Sequence, residues 1–509
     1  MARKSANTPY YNSLIRILQK ISLTDIKRFK DFINSPYHNK SRKITLFFEQ
    51  LLKLYPNFNI NKLNKSFFTR KLKKYSISNE STYRHLIGDI SHLFEKFLVL
   101  QKVENDKCLW NDLLIEKIYE SDLHDILGNR IKKFEKFTRK NIKIDSLSLV
   151  SLYNIEGSKL NFFSSNISDT KKINNLKLEI RKKRHSYLLL FYLAEMVKEL
   201  GEMENINLQS GLSVENTVPV LSNKMSLIEK MFEMHMELYG KGELSPTVQV
   251  FYSLYKLTIN PSNRLNYIEF KTLLLKNEEK FSVSERTYLF NKLIENNLIR
   301  LTKNYSGIRL RKEIMKIYSL ILEKEYYDKI FGKYMPIEIY RNILVISLSL
   351  KMFDWSYNFI NNYNNKINPR ERKNILQYSL SMLAFENEEF DKALNYINKI
   401  NPQRTSLKLD IKNILLKLYF IMGYNESAIS LIDSYKTFLQ TNRSISTDRK
   451  LRHHNFIKVV KQLIKYKNDP AKINLEIISD HISKTQYIIH RKWLIKNIDI
   501  LRKDREIEV

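Results

Sequence analysis

The sequence predicts an all-α protein in which an N-terminal helical domain is followed by a solenoid of stacked helical hairpins. Three observations predict this class. The chain has 509 residues but only ten Gly and ten Pro, too few turn formers for a protein rich in β hairpins. Hydrophobic residues make up 43% and recur at helical spacing, which is enough for a large core. The C-terminal half repeats with a period of roughly 34–38 residues.

Residues 1–105 are predicted to form a compact, basic helical domain. One helix should end before Pro36, because the residue before a proline resists helical torsions. One stripe of apolar residues marks the last helix: Leu86, Ile90, Leu93, Phe94 and Phe97. The predicted helices are Tyr11–Ile21, 23–33, Ser41–Tyr55, Lys65–Lys74 and one that begins near residue 79.

Residues 106–244 are predicted to form a region of long helices. The stretch Thr170–Met203 reads as a single helix of about 50 Å at the usual rise per residue. A loop is expected near 205–223, where Gly211, Pro219 and several Ser and Asn residues interrupt the apolar pattern.

Residues 245–440 are predicted to form repeated helical hairpins. Small residues recur at spacings of 37 and 35, and an isoleucine follows each of them by four residues. The aligned sets are Ser356, Ala393 and Ala428, followed by Ile360, Ile397 and Ile432. A small residue lets two helices approach closely, and one such hairpin cannot bury its apolar face alone. The hairpins are therefore expected to stack.

The segment Glu388–Leu394 resembles the start of the second helix of a tetratricopeptide repeat, and Met422–Ala428 resembles it more loosely. The resemblance implies an all-helical superhelix with a peptide-binding groove, although the tryptophan and most glycines of that family pattern are absent. Separately, the segment Phe32–Lys40 resembles the opening of uncharacterised proteins from Bacteroidota, which implies no function.

Residues 441–509 are predicted to form basic C-terminal helices that cap the array. A terminal cap needs one polar face, which the lysines after residue 457 supply. A dedicated polyanion site is the alternative interpretation. His453 and His454 lie side by side in this region and are interpreted as part of a solvated basic face rather than as metal ligands.

The net charge of +32 indicates an acidic or polyanionic partner. It is concentrated at the ends, with net +13 in residues 1–105 and net +8 in residues 441–509. The abundance of Lys, Asn and Ile is also typical of an AT-rich genome, so base composition is an alternative source of part of the charge.

The chain carries none of the motifs expected of a metalloprotease, a phosphate-binding loop or a hydrolase nucleophile. We therefore expect a protein that is not an enzyme and that has no cofactor and no metal. The lone cysteine, Cys108, cannot form an internal disulfide, and no apolar run is long enough for a bilayer. A cytoplasmic location is expected.

Two functions from different classes remain open. The first is a non-catalytic scaffold that binds an acidic peptide or protein in the repeat groove. By analogy with tetratricopeptide repeats, its groove residues are Arg341, Asn342, Tyr378, Met382, Asn413 and Lys417. Neither a membrane surface nor a small molecule is expected as a partner.

The alternative is a nucleic-acid-binding protein that grips phosphates with its basic regions. The candidate residues fall into three groups along the chain. They are Arg70, Lys71, Lys73, Lys74 and Arg84, then Arg181, Lys182, Lys183 and Arg184, and finally Arg449, Lys450 and Arg452.

Overall fold

The computed structural model confirms the all-α class. It describes residues 13–19, 21–55, 80–141, 143–166, 170–210, 225–242, 244–303, 307–327, 334–402, 404–485 and 487–508. Within those ranges the chain forms 22 α helices and no β strand. By contacts it divides into two compact units, one of Met1–Lys140 with Ser158–Ile167 and one of Asn141–Gly157 with Ser168–Val509. The four-region division proposed from the sequence stays a prediction.

Unit 1 is built around a phenylalanine cluster. The ring centre of Phe29 lies 5.1 Å from that of Phe48 and 4.9 Å from that of Phe94, both edge to face. The five residues of the predicted stripe from Leu86 to Phe97 are all buried. Its helices are α1 (Ser13–Leu18), α2 (Leu23–Asn34), α3 (Arg42–Leu52), α4 (Glu80–Asn105), α5 (Lys107–Glu120) and α6 (His124–Asn141), together with part of α7 (Ser146–Asn166). The helix predicted at Lys65–Lys74 lies outside the described residues.

Unit 2 begins with one very long helix, α8 (Thr170–Ser210), whose 41 residues confirm the single helix expected there. It runs on to Ser210, into the stretch expected to be a loop, and residues 211–224 lie outside the described part of the chain. The next helix is α9 (Met225–Tyr239). Helix α8 packs against α9 and also against the helix that follows α9 in the chain.

Five helix pairs then follow in order, and each helix packs against the next one along the chain. They are α10 (Ser245–Ile259) with α11 (Arg264–Asn277), α12 (Val283–Lys303) with α13 (Ile308–Glu323), α14 (Ile337–Ser349) with α15 (Phe353–Tyr363), α16 (Pro369–Glu386) with α17 (Phe390–Ile397), and α18 (Thr405–Ile421) with α19 (Asn425–Thr441). The second helices of the last three pairs begin 37 and 35 residues apart, the spacing read from the sequence. The aligned small residues Ser356, Ala393 and Ala428 are fully buried.

The turns inside these three pairs share one backbone conformation. One residue in each turn has a positive φ: 57° at Lys351, 63° at Glu388 and 75° at Gly423. In each turn, the N–H of the next residue donates a hydrogen bond to the carbonyl five residues before it, as Glu389 N does to Ala384 O at 2.9 Å. These are Schellman helix ends, which satisfy carbonyls that the helix leaves free.

The chain ends in α20 (Thr447–Asn468), α21 (Leu475–Lys484) and α22 (Arg491–Glu508). Their core includes Phe456, Val460, Leu463 and Leu494, all fully buried. Helix α20 packs on α19, and it also touches α8, the long helix that precedes the five pairs.

Candidate anion-binding face

The first helices of successive pairs, α14, α16 and α18, pack directly against one another in unit 2. Ion pairs join them on one side. Arg404 Nε lies 3.0 Å from Glu371 Oε1 on α16, and its Nη1 lies 3.3 Å from Glu338 Oε1 on α14. Arg341 on α14 forms an ion pair with Asp410 on α18, across the intervening α16. We call this side the first-helix face.

Arg341, a predicted groove residue, therefore already has a carboxylate partner. Its side chain is only 17% exposed, and its guanidinium lies 5.9 Å from the ring centre of Tyr378. Asp410 was not anticipated from the sequence. The two residues are 69 positions apart, so no local pattern connects them.

Tyr378 and Asn413 are buried, so the expectation that they contact a ligand is corrected. Burial raises the pKa of Tyr378, while Arg341 acts in the opposite direction. The Oδ1 atom of Asn413 accepts a hydrogen bond of 2.9 Å from the hydroxyl of Tyr435. Both side chains complete the packing beneath the face because polar groups that are buried need an internal partner.

The remaining two uncharged groove candidates differ from each other. Asn342 is exposed, and its side chain hydrogen-bonds Tyr318, whose pKa burial raises to about 12. Met382 is half-buried and packs against the core. Only Asn342 of this pair is placed to meet a ligand.

Lys417 lies on α18, where two aromatic rings flank its amine. Its Nζ is 3.0 Å from Nδ1 of His490, and it lies 5.7 Å from each of the ring centres of Phe385 and Trp493. Burial lowers the pKa of Lys417 to about 8, with the charge of Glu386 acting in the opposite direction. Lys417 therefore has two aromatic rings beside its amine but no ion-pair partner among the described residues.

Arg449, which the sequence assigned to a polyanion site, lies on α20. It is exposed and forms no ion pair with any residue in the described ranges. Its pKa is lowered by desolvation and then by the positive charge of Arg341. A member of the polyanion set thus lies within the electrostatic influence of a predicted groove residue.

Of the other candidates on α20, Lys450 is half-buried, and Arg452 is exposed with its guanidinium 5.2 Å from the ring centre of Tyr487. His453 is buried, so the interpretation of a solvated basic face is wrong for that residue. Its Nδ1 lies 2.7 Å from the Tyr435 hydroxyl. Burial, followed by the charges of Arg449 and His454, lowers the pKa of His453 to about 4.

The basic run on α8 is a separate feature of unit 2. Arg181, Lys182 and Lys183 are exposed and form no ion pair with the part of the chain that the structure describes. Arg184 instead packs its guanidinium 4.1 Å from the ring centre of Tyr153. In unit 1, Arg84 is exposed on α4. The other candidates of that group, Arg70, Lys71, Lys73 and Lys74, lie outside the described residues.

One cluster that sequence reasoning missed has the composition of a serine–lysine catalytic pair. Ser146 Oγ lies 3.0 Å from Lys198 Nζ, which also donates to Glu195 Oε1 at 2.9 Å and to Glu285 Oε2 at 2.8 Å. Burial alone would lower the pKa of Lys198, but the two carboxylates raise it. A lysine held as an ammonium ion cannot take a proton from a serine. This cluster joins α7, α8 and α12 rather than activating Ser146.

The described ranges contain no group of three or more His, Cys, Asp or Glu side chains arranged to hold a metal ion. Among those same residues, no helix has both the length and the apolar character needed to cross a membrane.

Comparisons with known proteins do not indicate a function, so a function is inferred from the geometry of the site. No family model, no curated protein and no solved structure matches this chain, so the likeness to tetratricopeptide repeats rests on its own residues.

Proposed function

We propose that unit 2 carries tetratricopeptide-like repeats and acts as a non-catalytic cytoplasmic scaffold that binds an acidic segment of a partner protein on the first-helix face. The observation that carries the proposal is the side on which the ion pairs of Arg341 and Arg404 join α14, α16 and α18. Arg449 on α20 is exposed, has no ion-pair partner among the described residues, and has a pKa that is lowered by desolvation and by the positive charge of Arg341.

The ion pair between Arg341 and Asp410 supports a concave face. In a flat layer, helices two places apart lie about 16–20 Å apart, near the limit that these two side chains can bridge. The contact across α16 favours a face that curves inward. A concave row of helices can enclose an extended or helical peptide.

The charge left over after internal pairing supports an acidic ligand. Arg341 and Arg404 are matched by carboxylates of their own face. Lys412 instead contacts the hydroxyl of Ser434 at 3.3 Å and lies 5.6 Å from the ring centre of Tyr435. Lys412, Lys417 and Arg449 form no ion pair with any described residue. Carboxylates of a ligand would supply the missing negative charge.

The test is a fluorescence anisotropy titration with a labelled oligoglutamate peptide at low salt. Arg449→Glu should weaken binding about tenfold, because it replaces a cation that has no ion-pair partner among the described residues by a carboxylate that repels the ligand. Arg452→Glu is the matched control, since it makes the same change on the same helix but beside Tyr487. Equal effects of the two variants would refute the assignment of the site.

Nucleic-acid binding is the second candidate, favoured by Arg181, Lys182 and Lys183, which are exposed and form no ion pair with any described residue. The same titration with random-sequence DNA decides between the two. On this alternative, affinity falls steeply between about 50 and 200 mM salt, and replacing the three cations by Glu reduces the salt slope. The oligoglutamate affinity would then be unaffected by Arg449→Glu.

A further inference from the structure

A groove formed by α9, α10 and α11 in unit 2 involves none of the helices of the first-helix face. Helices α9 and α11 both pack against α10. Side chains of all three helices line an open space of about 510 Å³, and the apolar ones among them are Met236, Tyr252 and Leu273. A space of this size admits side chains of a ligand rather than a single water molecule. We call it the α9–α11 groove.

The wall of this groove is apolar and adaptable. Met236 on α9 and Leu273 on α11 are half-buried, so part of each side chain still faces solvent. Tyr252 on α10 is half-buried as well, and its ring centre lies 5.2 Å from that of Phe232. A methionine side chain adjusts its shape to different apolar neighbours. The wall therefore offers a contact surface to an apolar side chain of a partner.

Carboxylates lie beside this wall. Glu229, Glu233 and Met236 share one side of α9, because spacings of four and three residues match the helical turn. The hydroxyl of Tyr252 donates a hydrogen bond of 3.2 Å to Glu229 Oε1. Burial raises the pKa of Tyr252 to about 12, and the charges of these two glutamates and of Glu269 act in the same direction. Three carboxylates thus surround the tyrosine end of the groove.

Only one of these carboxylates is neutralised within the described part of the chain. Lys256 Nζ lies 2.7 Å and 2.8 Å from the two carboxylate oxygens of Glu269, and 4.8 Å from the ring centre of Tyr252. This wall therefore already accommodates one ammonium group against the tyrosine. Glu229 and Glu233 are exposed and form no ion pair with any described residue. Their charge is available to a cationic ligand.

We propose that the α9–α11 groove binds a basic amphipathic segment of a partner protein. Lysine or arginine side chains of that segment pair with Glu229 and Glu233, and an apolar side chain lies against Met236 and Leu273. The long stems of lysine and arginine cover apolar surface while their charged ends reach the carboxylates. A fully polar cation would leave the apolar wall unused, so an amphipathic segment fits the groove better. The proposal does not depend on the first-helix face, whose proposed ligand has the opposite charge.

The test is a fluorescence anisotropy titration of the full chain with a labelled peptide of leucine and lysine placed at helical spacing. Glu233→Lys should weaken binding about tenfold, because it replaces an attracting charge at the groove by a repelling one. Glu426→Lys is the matched control. It makes the same change at an exposed glutamate of α19 that forms no ion pair with any described residue. This control should change the affinity less than about twofold.

A second peptide tests the apolar wall. Oligolysine with the same number of lysines should bind about tenfold more weakly, because it has no apolar side to bury. Equal affinities of the two peptides, or equal effects of Glu233→Lys and Glu426→Lys, would overturn the proposal. Light scattering of the chain alone should show a monomer. A dimer that Glu233→Lys dissociates would also overturn the proposal, since a second copy would then occupy the groove.

Discussion

At the hairpin turns, some residues adopt a backbone conformation that their residue type does not predict. Gly423 suits its positive φ of 75°, whereas Lys351 and Glu388 adopt the same region at 57° and 63° with a side chain attached. Only glycine visits this region without steric cost. The sequence alignment of the small residues led to the right turns, but the Lys and Glu side chains gave no sign of left-handed backbone.

This difference makes a stability prediction. Lys351→Gly should raise the free energy of unfolding of unit 2 by about 0.5–1 kcal/mol, because relief of left-handed strain exceeds the entropy that glycine adds to the unfolded chain. Lys351 is exposed, so little packing is lost. Gly423→Ala should lower the same free energy by about 1 kcal/mol. Urea unfolding followed by circular dichroism measures both, and a destabilised Lys351→Gly variant would contradict the prediction.

The N-cap of α2 is a second feature that the residue types alone do not determine. Ser22, Thr24 and Asp25 are all residue types that can cap α2, and in the structure the helix begins at Leu23 with Ser22 as its cap. The hydroxyl of Ser22 accepts the Asp25 N–H at 3.1 Å and donates to Asp25 Oδ2 at 2.7 Å. Several polar residues near a helix start can serve as its cap, and only the geometry selects one.

Whole helices were the most predictable elements. The spacing of apolar residues predicted α2, α4 and the long α8. A helix that buries one side needs an apolar residue on that side at every turn. Pairing between elements was not predictable. The interpretation of Arg341 as a ligand-binding cation omitted Asp410, which reaches it from a helix two places further along the face.

The same ion pair gives a prediction for ligand binding. Asp410→Asn should free the Arg341 guanidinium and tighten oligoglutamate binding several-fold, at a cost of about 1–2 kcal/mol in stability for leaving a half-buried cation unpaired. Glu338→Gln is the control, since it also removes one negative charge but leaves Arg404 paired with Glu371 at 3.0 Å. Anisotropy measures the affinities, and an equal gain in both variants would show that net charge alone is responsible.

At the scale of the whole molecule, the net charge of +32 favours an acidic partner but indicates no place of binding. The sequence assigned Arg341 and Arg449 to different surfaces because they are over a hundred residues apart. In the folded unit, the positive charge of Arg341 nevertheless contributes to lowering the pKa of Arg449. Long-range convergence of this kind leaves no local pattern in the chain.

Buried neutral histidines make the stability of unit 2 sensitive to acid. His235 and His453 are both buried, and burial lowers both pKa values, that of His453 to about 4. A histidine with a folded pKa below its unfolded value of about 6.5 binds protons first in the unfolded chain. Stability should therefore be fully present above pH 7 and fall as the pH drops towards 4, with His453 alone contributing up to about 3 kcal/mol of the loss.

Urea unfolding between pH 7.5 and 4.5 measures this dependence. His453→Gln should flatten the pH profile even if it lowers stability at neutral pH, because the variant has no group to titrate at that position. His92→Gln, which replaces an exposed histidine of unit 1, serves as the control. An unchanged slope in the His453 variant would exclude this residue as the source.

The contact between α20 and α8 has a consequence for how this protein can change over evolution. In an open array each repeat meets only its immediate neighbours, so gene duplication can lengthen or shorten the array without disturbing its ends. Here the helix that follows the last pair contacts α8, which lies two helices before the first pair. Inserting or deleting one pair would pull these two helices apart. The number of hairpins is therefore under selection as a unit, and variation in length should be confined to the loops.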